Sequence, residues 1–268
     1  MNGLGSNGVF RRAADLYSGY SETATIGGVA KKTLLLIITT VISAIVGILI
    51  ALPLVATSYL GFYLGICVVV PLATFVMSMF MTFSPKSSKI LSIPYSALEG
   101  LSIGCICGLA LIYFAETGFL IVGLAFVITL GMFLGGVILY CTGTFKVTNG
   151  LRKVMYAILL GSIIASALSS LVALIGYLFG FFDAAFFASI YEAGSPIYLI
   201  MTFVSLLMIF VAGIYIVISL DNATKIVEAG LDKEYEWYAA FGIILNLIWL
   251  FYQVLRFLIM IFGGSRRD

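Results

Sequence analysis

Five polar residues sit in stretches that are otherwise apolar: Glu99, Asp221, Asn246, Gln253 and Arg256. A charge in hydrocarbon costs about 2.5–3.5 kcal/mol on insertion scales, so such residues mark ion or proton paths by default. A carboxylate can hold a proton or a hard cation such as Ca²⁺, and an amide oxygen adds a neutral ligand. Glu99 lies in "PYSALEGLSIGC", Pro94 to Cys105. Asn246 and Gln253 are seven residues apart, so about 20° apart around a helix, with Arg256 on the flank of that face and Trp249 among them. Plainer roles compete. Asn246 and Gln253 can simply join helices, at about 0.6 kcal/mol each. Arg256 can snorkel outward, and Asp221 can be a solvated helix end.

The elements that must position these residues are membrane helices. The 268 residues are 62% hydrophobic and 10% charged, with mean hydropathy +1.19. Soluble domains carry about 25% charged residues. Seven apolar stretches are near the length of about 20 residues that a bilayer requires: Thr33–Ala56, Leu60–Phe83, Tyr95–Phe114, Gly118–Cys141, Val154–Leu178, Ile197–Leu220 and Ala239–Phe262. The first is too long for the core of a signal peptide. The fold class is therefore an all-α integral membrane protein with seven transmembrane helices. A tail at 1–32 precedes the membrane domain at 33–263, and a short tail at 264–268 follows it.

The third stretch carries Gly100, Gly104 and Gly108, a doubled G-x-x-x-G that admits another helix at close range. Glu99 adjoins this stripe and so faces protein. The sixth stretch continues helically past Asp221 to Gly230, a residue suited to a C-cap. Asp221 lies nine residues before that turn, Asn246 lies thirteen after Lys233, and Glu99 lies about five into its helix. The three thus fall near one depth. The polar stripe on the last helix implies that this helix is central and surrounded by others.

Arg11, Arg12, Lys31, Lys32, Lys86, Lys89, Lys146, Arg152, Lys153, Lys225 and Lys233 all fall on one side of the seven crossings. The positive-inside rule makes that side cytoplasmic, with the C-terminus outside beside Arg266 and Arg267. A re-entrant last helix would reverse the final step. There is no histidine, which removes His metal sites and His pH switches. Cys67, Cys105, Cys107 and Cys141 lie in apolar runs as small core residues. No P-loop, nucleotide fingerprint or H-E-x-x-H is present. An enzyme and a nucleic-acid partner are not expected. The bilayer is the expected partner, a monomer is favoured, and no cofactor is implied.

Three segments carry a family resemblance: "NGVF" with "ATIGGVAKKTLLL", then "PYSALEGLSIG", then "EWYAAFGIILNLIWLFYQVLRFL". In order and spacing they resemble the Bax inhibitor family, in its bacterial Bax-inhibitor-like branch. The resemblance implies six helices around a central seventh, a bacterial plasma membrane, and pH-sensitive calcium leak. In the family two aspartates form the pH-sensing pair. Asp221 matches the first, but Asn246 stands at the second. Glu99 then offers a relocated second acid, so that Glu99 and Asp221 would form the pair and a weak Ca²⁺ site, with Ca²⁺ as permeant ion. Two other roles for Glu99 stay open: a partner for Arg256, or a lone protonated acid bonded to a carbonyl. Two other functions also stay open. One is a regulator of a membrane protease or stress pathway, acting through its tail and loops. The other is a proton-coupled cation exchanger.

Overall fold

The computed structural model describes residues 22–56, 60–114, 116–180 and 195–264. Most of the N-terminal tail, with "NGVF", Arg11 and Arg12, lies outside the described residues, as do Arg266 and Arg267. Among the described residues seven α-helices follow in order: α1 Ile26–Ala56, α2 Leu60–Phe83, α3 Ser88–Tyr113, α4 Gly118–Cys141, α5 Asn149–Leu178, α6 Pro196–Glu228 and α7 Tyr235–Gly264. A 3₁₀ turn, Pro85–Ser87, joins α2 to α3. All but α5 are matched by length and composition to a membrane crossing among the described residues. The fold is an all-helical, multi-pass membrane protein. Its surface is accordingly apolar: Leu34, Ile42 and Leu49 of α1 and Val68, Leu72 and Phe80 of α2 are exposed.

Several helices begin before their apolar runs do. α1 starts at Ile26 rather than Thr33, inside the stretch assigned to the tail, and α3 starts at Ser88 and runs through Pro94. Hydrophobicity locates the lipid boundary, but backbone hydrogen bonding continues beyond it until a cap intervenes. Those caps are local. Thr25 Oγ1 accepts from the Gly28 amide at 3.0 Å, Thr148 Oγ1 accepts from Leu151 at 3.2 Å, and Ser195 Oγ accepts from Tyr198 at 3.1 Å with Pro196 behind it. α6 ends in a Schellman arrangement. Gly230, at φ 62°, donates to Val227, and Leu231 donates to Ile226.

The tightest crossing joins α1 to α3. A methyl on Gly100 would strike the Thr40 carbonyl, one on Gly104 the Ala44 carbonyl, and one on Gly108 the Ala51 methyl. From the other side, a methyl on Gly47 would come within 2.6 Å of the Leu101 carbonyl. The helices therefore touch backbone to backbone, which maximises dispersion where lipid supplies no hydrophobic drive. α7 packs on α1, α3, α4 and α6, burying Phe241, Ile244, Leu250, Val254 and Leu255. α2 and α5 approach α7 at a cavity described below. The described contacts seat α7 chiefly on these four neighbours.

The start of α1 meets the start of α7 at Glu236, in the first turn of α7. Its side chain is only 2% exposed and pairs with Lys32 Nζ at 2.5 Å. It also accepts from the Thr25 amide at 2.8 Å and the Thr25 hydroxyl at 3.0 Å. Gly28 leaves the space that Glu236 fills, and Lys32 Nζ stands 5.2 Å above the Trp237 ring. Around this centre, residues 22–24 dock on the α6–α7 connection. Ala24 donates to the Leu231 carbonyl and the Lys233 amide donates to the Glu22 carbonyl, both at 2.7 Å. The exposed Lys233 ammonium also binds the Glu22 carboxylate. That hydrogen bond holds the Glu22 carboxyl below its ordinary range and raises the Lys233 ammonium. The side-chain link is thus complete at neutral pH. It is lost as pH falls through the lowered Glu22 titration, or rises through that of Lys233.

Two stability predictions follow. Gly104→Leu should destabilise the protein by about 3 kcal/mol or prevent folding, because the obstructing atoms are backbone. Leu111→Ala should cost clearly less, since Leu111 is only half-buried. Equal melting temperatures in detergent would refute the tight crossing. Lys32→Met should strand the buried Glu236 charge at a cost of about 3 kcal/mol, whereas Glu22→Gln should change the melting temperature little. Similar small effects from both would show that Glu236 is not held as a charge.

Candidate functional site

Glu99 is the twelfth residue of α3, well inside the membrane-spanning part. It is half-buried and lines a cavity of about 360 Å³. α2 contributes Pro71, Phe75 and Ser78 to its wall, α3 adds Tyr95, α5 adds Leu159 and α6 adds Tyr215. α7 contributes Leu245, Asn246, Ile248, Trp249 and Tyr252. Glu99 is the one ionic side chain among these residues. Without a lining cation, the cavity favours positive charge over negative.

The Tyr252 hydroxyl stands 3.3 Å from both Glu99 Oε2 and Ser102 Oγ, with its proton available to either. Tyr252 therefore ties α7 to α3 through the carboxylate. One turn before Glu99, Tyr95 packs edge-on against Phe241 with centroids 5.3 Å apart. The opposite wall is held by the Tyr215 hydroxyl, which donates to the Met155 carbonyl at 2.8 Å. The Tyr215 ring meets Trp249 edge-on at 5.7 Å. Pro71 removes a backbone donor from the middle of α2 at the cavity, and the Thr74 hydroxyl donates to the Pro71 carbonyl at 3.0 Å.

Asn246 shares this cavity with Glu99. Its amide donates to Ser219 Oγ at 2.5 Å, and Ser219 donates to the Tyr215 carbonyl at 2.9 Å. The amide thus joins α7 to α6. Asp221 does not join this group. Two residues on a helix point about 200° apart. With Ser219 turned to α7, Asp221 turns toward α5. There it pairs with Arg152 and, at 3.0 Å, with Lys225. Arg152 Nη1 also donates to the Asn222 side chain at 2.6 Å.

No described hydrogen bond or ion pair joins Glu99 to Asp221. Asp221 is engaged by two cations, Arg152 and Lys225, while Glu99 is engaged by the Tyr252 phenol. Among the described residues no cluster of three acidic or thiol ligands offers a metal centre. Arg256 is exposed and Gln253 half-buried, and neither lines the cavity. The polar residues of α7 thus divide: Asn246 faces the cavity, Gln253 lies outside it, and Arg256 faces outward. Gly100, Gly104 and Gly108 serve the α1 crossing one face away from Glu99.

Tyr252 and Arg152 were not singled out by spacing. Tyr252 reads as an ordinary interfacial aromatic until Glu99 is placed beside it. Arg152 reads as a loop cation until α5 is found to begin at Asn149.

The fold and site define a multi-pass helical membrane protein with a carboxylate-bearing cavity among its helices. Within that class, the chain belongs to the Bax inhibitor 1-like family, whose model matches residues 7–263. Comparison with curated proteins and with solved structures returns no match.

Proposed function

We propose that the protein is a pH-sensitive cation leak channel, with Ca²⁺ as the preferred permeant ion and Glu99 as the residue that senses pH. The observation that carries this reading is the intramembrane cavity in which Glu99 is the one ionic side chain. An unprotonated Glu99 offers a hard oxygen ligand, the Asn246 amide lies on the same cavity, and the Tyr252 hydroxyl can turn from carboxylate to ion. Protonation removes the charge that attracts the cation. Tyr252 and Glu99 then hold α3 to α7 as a neutral hydrogen-bonded pair. Leak accordingly falls as pH falls through the Glu99 titration.

In this reading Asp221 acts separately, at the end of the bundle that bears most of the Lys and Arg residues. Its ion pair with Arg152 ties α5 to α6 and restrains access to the cavity from that side. The six-around-one arrangement serves the same purpose, since α7 presents Asn246, Trp249 and Tyr252 to the cavity. The protein is read as non-catalytic, in a bacterial plasma membrane, with the N-terminus in the cytoplasm.

Proteoliposomes loaded with a calcium dye test the channel reading across a pH series. Glu99→Gln should lower the high-pH flux by about tenfold, the scale of 1.4 kcal/mol of lost attraction, and flatten the pH profile. Tyr252→Phe should keep the flux and shift its midpoint. Arg152→Gln should raise flux at all pH values. Wild-type flux and midpoint in Glu99→Gln would defeat the channel and favour a regulator acting through tail and loops. Transport that requires a proton gradient, rather than a given pH, would identify an exchanger.

Orientation has its own test. Lys146 is exposed in the α4–α5 connection. In a cysteine-free background, Lys146→Cys should resist an impermeant thiol reagent in intact cells and react after lysis. Labelling in intact cells would invert the topology.

A further inference from the structure

We infer that a groove between α1 and α4 is a binding site for one acyl chain of a bilayer phospholipid, taken from the leaflet on the side of the α3–α4 connection. The groove is a second cavity of about 460 Å³, on the other side of α7 from Asn246 and Glu99. α1 and α4 stand apart along it, while α3 and α7 form its floor. Its walls are apolar, with Ile45 on α1 and Phe126 on α4, and both residues are also exposed at the outer surface. It therefore opens sideways, toward hydrocarbon rather than water.

Length selects the occupant. On α4 the groove runs from Phe119, one residue into the helix, to Leu130 near its middle. Eleven residues at helical rise span about 16 Å, close to half of the hydrocarbon core of about 30 Å. The volume lies within the range of about 300–1,000 Å³ usual for ligand pockets. A slot that begins at one membrane face, ends near the midplane and carries almost no polar atoms matches a single hydrocarbon chain. Gly123 opens it, because a methyl there would meet nothing within 4 Å. At its inner end Thr129 is 6% exposed and its hydroxyl has no hydrogen-bond partner among the described residues. A hydrocarbon chain leaves that hydroxyl as it is, whereas a ligand with a polar group at the midplane would use it. Ile248 lines this groove and the Glu99 cavity alike, so the chain would rest on a wall that the two share.

The protein, reconstituted in dioleoylphosphatidylcholine vesicles and re-extracted in mild detergent, can be weighed by native mass spectrometry. Wild type should retain one phospholipid. Gly123→Phe and Ile45→Trp fill the groove from opposite walls and should each lower the lipid-bound fraction by about tenfold. Leu134→Phe, on the exposed face of α4 outside the groove, should leave it unchanged. Thr129→Val should also leave it unchanged or raise it. Should Gly123→Phe fail to fold, Ile45→Trp tests the same space. A wild type without bound lipid would overturn the site. So would equal retention in both groove variants, which would mean surface lipid alone. A loss confined to Thr129→Val would overturn the acyl chain in favour of a ligand with a polar group at the midplane.

Discussion

The backbone-to-backbone crossing of α1 and α3 is the constraint on which the rest of the bundle depends. In lipid, apolar side chains gain nothing by leaving hydrocarbon for protein, so helices associate through close contact and hydrogen bonds. Gly47 on α1 and Gly100, Gly104 and Gly108 on α3 supply the contact. Because that face of α3 is consumed by α1, the neighbouring face at Glu99 and Ser102 is fixed toward α7. The carboxylate is thus placed by glycine, one residue away, rather than by its own partners. The same crossing sets the floor of the acyl-chain groove, since Ile103 and Cys107 of α3 lie beneath it.

The charged groups divide by depth, and the division follows desolvation. Glu236 and Asp221 each have cations at hand: Lys32 for the first, Arg152 and Lys225 for the second. Such pairs hold helix ends together where water remains close. Glu99 lies deeper and has hydroxyl partners in place of a cation, among them Tyr252 at 3.3 Å. A charge pair would bind Glu99 too firmly for it to exchange a proton or a cation, whereas a phenol leaves it available. The contrast in partners holds although Glu236 is the more buried of the two.

Much of the fold was legible in the sequence, because membrane helices are written in composition. The seven apolar runs correspond to the seven helices among the described residues, and the Gly230 turn falls where the sequence places it. The starts of α1, α3 and α5 were not legible, because an apolar run ends at the first charged residues while the helix does not. The site was legible only in pieces. Glu99 and Asn246 could be singled out as polar residues in apolar surroundings, and they do line one cavity. Their separation from Asp221 could not be read. Depth was estimated from residue counts, but azimuth decides contact, and Ser219 rather than Asp221 is the α6 residue facing Asn246. Glu236 is illegible for a related reason: its burial is created by Thr25, Gly28 and Lys32, which lie more than 200 residues earlier in the sequence.

The position of Asn246 explains why an amide is suited to the place where the family resemblance would put an aspartate. Its donor satisfies Ser219, which itself bonds back into α6, so the amide closes the α6–α7 interface without charge. An aspartate there would share the cavity with Glu99, and two anions in one low-dielectric space repel strongly. One of them would have to remain protonated or hold a cation permanently. With Asn246 the cavity keeps a single titratable carboxylate, and Asp221 is released to pair with Arg152. In the channel proposed above, the asparagine would therefore separate two tasks that a pair of aspartates would combine: sensing inside the cavity, and closure at its end.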